Sequence, residues 1–165
     1  HPGAGTCFQI DLPVAASDRT SAASEDPVVE RGRGETILYV DDDEVVALTL
    51  EALMARLGYH PVRCAQGQEA LGLLAQDPGR YAALLTDYNM PGMNGLEVAQ
   101  MARALSPDIP VLMMSGYVTD ELRWQAAATG VAVVLLKEHC LEQLGHELRR
   151  ALSDAAALRP TPVVG

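Results

Sequence analysis

Three carboxylates, a hydroxyl and an ammonium stand where short apolar runs give out. Ile37-Leu38-Tyr39-Val40 ends in Asp41-Asp42, Ala83-Leu84-Leu85-Thr86 in Asp87, Val111-Leu112-Met113-Met114 in Ser115, and Val131 to Leu136 in Lys137. Carboxylates gathered in one place repel one another unless a cation offsets them. A hard divalent ion does so with oxygen ligands, and Asp41, Asp42, Asp87 and the main-chain carbonyl of Asn89 would supply the protein's share. Mg2+, or Mn2+ in its place, is the expected ion. A carboxylate is also a nucleophile toward phosphorus, and Asp87 is the expected acceptor, forming an acyl phosphate. The charge developing there would be met by the Lys137 ammonium and the Ser115 hydroxyl. Each residue alone has a plainer use: Asp43 and Glu44 suit the first turn of a helix, Asp87 and Ser115-Gly116 suit turns, and Lys137 suits a solvated strand end. The set as a whole carries the chemistry.

Such a set needs parallel strands whose carboxyl ends share one edge, because ligands of an open α/β sheet bind there. β-like runs at 36–40, 61–64, 82–86, 111–114 and 131–136 alternate with apolar residues at helical spacing over 45–57, 68–75, 96–105, 120–128 and 141–152. Gly58, Pro78-Gly79, Ser106-Pro107 and Gly130 punctuate the helix ends. The expected fold is therefore α/β, a doubly wound five-stranded parallel sheet flanked by five helices.

Length and charge narrow the partners. The 165 residues have room for one domain with tails. Residues 14–33, rich in Ala, Ser and charge, read as a linker, 34–153 as the folded domain and 154–165 as a tail. Only about a dozen residues follow the last expected helix, too few for an output domain. The 22 acidic and 12 basic residues give a net charge of −10, so neither nucleic acid nor direct membrane contact is expected. Cys7, Cys64 and Cys140 form no CxxC pair, and His139-Cys140 has no second spaced pair. A reducing, cytoplasmic setting is expected rather than a disulfide framework or a zinc site. No apolar run approaches the roughly 20 residues of a membrane helix, although a longer parent protein is free to be membrane-anchored.

With these residues assembled, the stretch from about 35 to 152 resembles the response-regulator receiver (CheY-like) family. The resemblance rests on Ile37-Leu38-Tyr39-Val40-Asp41-Asp42-Asp43-Glu44, on Leu84-Leu85-Thr86-Asp87-Tyr88-Asn89-Met90-Pro91-Gly92-Met93-Asn94-Gly95, on Val111-Leu112-Met113-Met114-Ser115-Gly116 and on Leu135-Leu136-Lys137. It implies that Asp41, Asp42 and the Asn89 carbonyl help hold Mg2+, that Asp87 takes a phosphoryl group from phosphohistidine, and that Ser115 and Lys137 grip that group. The implied function is a phosphoacceptor of a two-component phosphorelay that catalyses only its own phosphorylation and dephosphorylation and thereby switches its protein contacts. The implied partners are the histidine kinase core of the same parent chain or a histidine phosphotransfer protein, and pairing of two copies stays open. Two positions depart from the pattern. Glu138 stands where receivers carry Pro after the lysine, which implies a differently shaped loop. Val134 stands where they often carry an aromatic, which leaves the loops after Asp87 and Ser115 to carry the signal.

Pro2-Gly3-Ala4-Gly5-Thr6-Cys7-Phe8-Gln9-Ile10-Asp11-Leu12-Pro13 resembles the last turn and final strand of a histidine-kinase ATP-binding domain. The implication is that residues 1–13 are the remnant of such a domain and that the parent is a hybrid sensor histidine kinase, a phosphotransferase. Two other readings compete. In a haloacid-dehalogenase-like phosphatase Asp41 would be the nucleophile and Asp43 the general acid. A pseudo-receiver would act only as an interaction or autoinhibitory module.

Overall fold

Apolar strands buried on both faces need helices on both sides, and the chain supplies strands and helices in alternation. The computed structural model describes residues 31–158. The elements are β1 (Thr36–Val40), α1 (Glu44–Arg56), β2 (His60–Cys64), α2 (Gly67–Gln76), β3 (Ala83–Asp87), α3 (Gly95–Leu105), β4 (Val111–Ser115), α4 (Asp120–Ala128), β5 (Val131–Leu136) and α5 (Cys140–Leu158). The strands pair in parallel in the order β2-β1-β3-β4-β5. This is the doubly wound five-stranded sheet with five helices expected from the sequence. The remnant expected over 1–13, the linker as far as residue 30 and the end of the tail from 159 lie outside the described residues.

Strand side chains alternate between two helical layers. Ile37, Tyr39, Ala83, Leu85, Leu112 and Met114 face the layer built by α1 and α5. Leu38, Val40, Leu84, Val111 and Met113 face the layer built by α2, α3 and α4. Each fully buried Leu, Ile or Met contributes roughly 1.5–3 kcal/mol. Side-chain caps fix where helices begin: Asp43 accepts from the N–H groups of Val45 and Val46, and Asn94 and Glu97 form a reciprocal capping box on α3. Caps of this kind are worth about 1 kcal/mol each. The last helix runs six residues beyond its expected end at 152, to Leu158. Ala155-Ala156-Ala157, from the strongest helix former, continues it without needing burial.

The strand order reverses between β1 and β3, which opens a crevice at their carboxyl ends. At the opposite end of the sheet, residues 31–35 are held tightly. The Gly32 N–H donates to the Leu57 carbonyl at 2.7 Å and the Gly34 N–H to the Gly58 carbonyl at 2.9 Å. Arg149 of α5 donates to the Arg31 carbonyl at 2.9 Å and to Glu35 Oε1 at 3.0 Å. A Cβ on residue 32 would lie 2.6 Å from Tyr59 Cδ1 and 2.9 Å from the Gly58 carbonyl oxygen, so only glycine fits. Among the described residues, packed contacts are therefore already present at residue 31, ahead of the boundary drawn at 34.

Gly32→Ala is expected to cost about 1–3 kcal/mol, the usual penalty for forcing a methyl into a packed site. Arg149→Ala should lower the Tm by a few degrees and speed amide exchange at Gly32 and Gly34. Thermal melts and hydrogen exchange check both.

Candidate functional site

The crevice at the switch point is where the chemistry-bearing residues meet. Asp41 continues β1 and is fully buried, and Asp87 is the last residue of β3 with 3% exposure. Asp42, one step further along the first connection, is exposed. One carboxylate oxygen from each of the three lies within 4.8 Å of the other two. Lys137, at the end of β5, spans the width of β4 to reach them. Its Nζ is 3.1 Å from Asp41 Oδ2 and 3.1 Å from Asp87 Oδ1.

Asp41 is held from three directions. Its Oδ1 accepts from the Asp43 N–H at 2.9 Å, and its Oδ2 accepts from the Tyr39 hydroxyl at 3.0 Å as well as from Lys137. Asp87 Oδ1 is different. It is buried, and its one partner among the described residues is the Lys137 ammonium, 3.1 Å away. Burial pushes the Asp87 carboxyl above its ordinary range; Lys137 opposes that shift and the Asp41 charge adds to it. Burial works against the charge of Lys137, but Asp87 and Asp41 outweigh it and hold the ammonium above its ordinary value. The phenol of Tyr39 is raised, first by burial and then by the neighbouring Asp41, so it remains a hydrogen-bond donor. Burial also pushes the Cys140 thiol up to about 11, which leaves it without thiolate character.

Three carboxylates against one ammonium leave net negative charge in a crevice lined with oxygen donors. That donor set fits a hard divalent cation. Asn89 lies exposed in the bend after β3. The loop from there to α3 closes tightly: the Gly95 N–H donates to the Tyr88 carbonyl at 3.0 Å, and a Cβ on Gly95 would fall 2.4 Å from the Asp87 carbonyl oxygen. Ser115 is buried, but its hydroxyl faces its own loop, donating to the Tyr117 carbonyl at 2.7 Å and accepting from the Tyr117 N–H at 3.2 Å. Glu138 is the middle residue of a single 3-10 turn, Lys137–His139, that leads straight into α5. Tyr39 is the site residue that sequence reasoning missed. Its place two residues before Asp41 on one strand was the available signal, because alternation turns both to the same face.

The comparisons agree on one family. A family model described as response regulator receiver domain matches residues 37–149. The response regulator receiver protein CpdR of Brucella abortus is 31% identical over 119 residues, covering 72% of this chain and 98% of its own length. The sensor protein EvgS of Escherichia coli is 29% identical over 163 residues, 97% of this chain and 13% of its own length. Among solved structures, the receiver domain of a sensor histidine kinase from Pseudomonas aeruginosa, with a magnesium ion coordinated in its active-site cleft, aligns at 25% identity with a TM-score of 0.66, covering 73% of this chain and 98% of that one. The chain spans only 22%, 18% and 20% of the lengths of the first plant response regulators it matches.

Because Asp87 ionises at higher pH in the folded chain than in the unfolded one, the folded state keeps its proton longer, and stability falls as pH rises above the ordinary carboxyl range. Lys137 stays protonated in both states throughout that window and adds no slope there. Asp87→Asn should therefore raise the Tm at pH 7 by a few degrees in metal-free buffer and flatten the decline above the ordinary carboxyl range. Melts across that range check the sign.

Proposed function

Since the chain belongs to the response-regulator receiver family of two-component signalling, we propose that it takes a phosphoryl group from phosphohistidine onto Asp87, in a reaction that depends on a divalent cation, and so switches its contacts with other proteins. The observation that carries this reading is the buried Asp87 carboxylate in the switch-point crevice, clustered with Asp41 and Asp42 and facing the Lys137 ammonium at 3.1 Å. Asp41, Asp42, Asp87 and the Asn89 carbonyl would hold Mg2+ or Mn2+. When bound, that ion neutralises charge on the carboxylates and on the phosphoryl oxygens.

The chain's own residues do the rest. An Asp87 carboxylate oxygen attacks phosphorus, the P–N bond to the donor imidazole breaks, and its electron pair leaves with the imidazole. Little covalent chemistry is asked of the protein, so position and charge supply most of the rate. Lys137 moves its contact from the carboxylate to a phosphoryl oxygen. Ser115 can donate to that group only by giving up the Tyr117 carbonyl, which frees the loop that follows β4. Tyr117 is 77% exposed on that loop, so the change is presented at the surface. This route needs no aromatic at position 134, where Val134 packs against the core.

The phosphatase reading fares worse. Asp43, its general acid, is committed to capping α1, and the reading leaves Asp87-Tyr88-Asn89-Met90-Pro91 unexplained. The parent is inferred to be a hybrid sensor histidine kinase, with residues 1–13 the end of its ATP-binding domain, 14–33 the linker and the receiver following. The likeness to a sensor protein across 163 residues, well beyond the receiver itself, supports this. The donor is then the kinase core of the same parent or a histidine phosphotransfer protein, in the cytoplasm. Among the described residues no helix is long and apolar enough to cross a membrane.

Intact mass with Mg2+ and acetyl phosphate tests the proposal. The wild type should gain one phosphoryl group, Asp87→Asn none, and omission of the metal should abolish the gain. Lys137→Ala should slow uptake by about tenfold or more. A folded wild type that takes up nothing would make the chain a pseudo-receiver whose role is protein contact alone.

A further inference from the structure

Tyr39 and Asp41 stand two residues apart on one strand and share a face. The Tyr39 ring is fully buried in the layer under α1 and α5, a packing role that phenylalanine would fill equally well. The hydroxyl does something more. It donates to Asp41 Oδ2 at 3.0 Å, the same oxygen that Lys137 Nζ reaches at 3.1 Å. Asp41 Oδ1 is already occupied by the Asp43 N–H, so the carboxylate is fixed in orientation. Oδ2 is a shared acceptor: charge drawn toward the phenol is charge withheld from the ammonium.

The arrangement matters when Lys137 has to move. In the structure Nζ is balanced, 3.1 Å from Asp41 Oδ2 and 3.1 Å from Asp87 Oδ1. A phosphoryl group on Asp87 pulls Nζ toward Asp87 and away from Asp41. Asp41 is fully buried, and its Oδ2 loses a donor in that step, a loss that a buried carboxylate resists beyond whatever charge the cation offsets. With the Tyr39 hydroxyl still in place, Oδ2 keeps a partner after Lys137 leaves.

We propose that Tyr39 is a positioning residue whose hydroxyl stands in for Lys137 on Asp41, so that the ammonium is released to follow the phosphoryl group on Asp87. The proposal deepens the reading above and rests on Asp87 as the phosphoacceptor.

Tyr39→Phe removes one oxygen and keeps the ring. In the full 165-residue chain, uptake from acetyl phosphate at saturating Mg2+ should fall about tenfold, the effect of losing one hydrogen bond to a charged group. In a Lys137→Ala background the same substitution should change uptake less than twofold, because no ammonium remains to be released. Unchanged uptake in the first background, or an equal fall in both, overturns the proposal.

Melts without metal or phosphodonor give a separate answer. Each single variant leaves Oδ2 one donor, and the double variant leaves it none, so the Tm loss of Tyr39→Phe/Lys137→Ala should exceed the sum of the single losses. Additive losses would show that the two groups do not share the oxygen. If the folded wild type takes up no phosphoryl group, the reading of Asp87 fails and the release step with it, while the thermal cycle still decides whether the acceptor is shared.

Discussion

Two buried carboxylates at adjacent strand ends would repel each other, and the molecule is arranged around that repulsion. Asp41 and Asp87 are 0% and 3% exposed, and the sheet order makes them neighbours whatever else the chain does. A single ammonium holds them, delivered from β5 by a side chain long enough to pass the end of β4. A buried ion group of this kind is a poor source of stability, because desolvating its charges costs about as much as their attraction returns. The apolar layers on either face of the sheet must hold the fold without its help. What the unresolved charge provides is affinity for whatever positive or electrophilic group enters the crevice.

The same constraint explains why the site lies where the scaffold is stiffest. β1, β3 and β4 are buried along almost their whole length, and the strand ends inherit that rigidity. The connections are more exposed. Asp42, Asn89 and Tyr117 are all exposed, each on a segment that follows a strand. Buried carboxylates thus stand directly beside exposed loops.

Much of this was legible in the sequence because strand alternation and helix punctuation are local signals. Asp41, Asp42, Asp87 and Lys137 were found from strand ends alone, and the structure brings them together. The Lys137 to Asp41 contact joins residues 96 apart, so sequence spacing suggested the meeting but could not supply its geometry. Tyr39 escaped notice because a tyrosine inside an apolar run reads as core, and only the partner of its hydroxyl tells otherwise. Ser115 was read correctly as a strand end, yet where its hydroxyl points depends on the backbone of the next turn. The extra turns of α5 were missed because a run of alanines gives no amphipathic signal, although it has high helix propensity.

The contacts of Gly32, Gly34 and Arg149 have a consequence for how the unit is joined to its surroundings. Chain entering at residue 31 arrives at a fixed point and heading, registered to the far half of α5 and to the turn after α1. From residue 31 onward the chain is bolted, like a flange, to the unit it leads into. A graft that begins at the first strand residue would discard the flange, whereas one that begins at Arg31 carries the unit's own mounting with it.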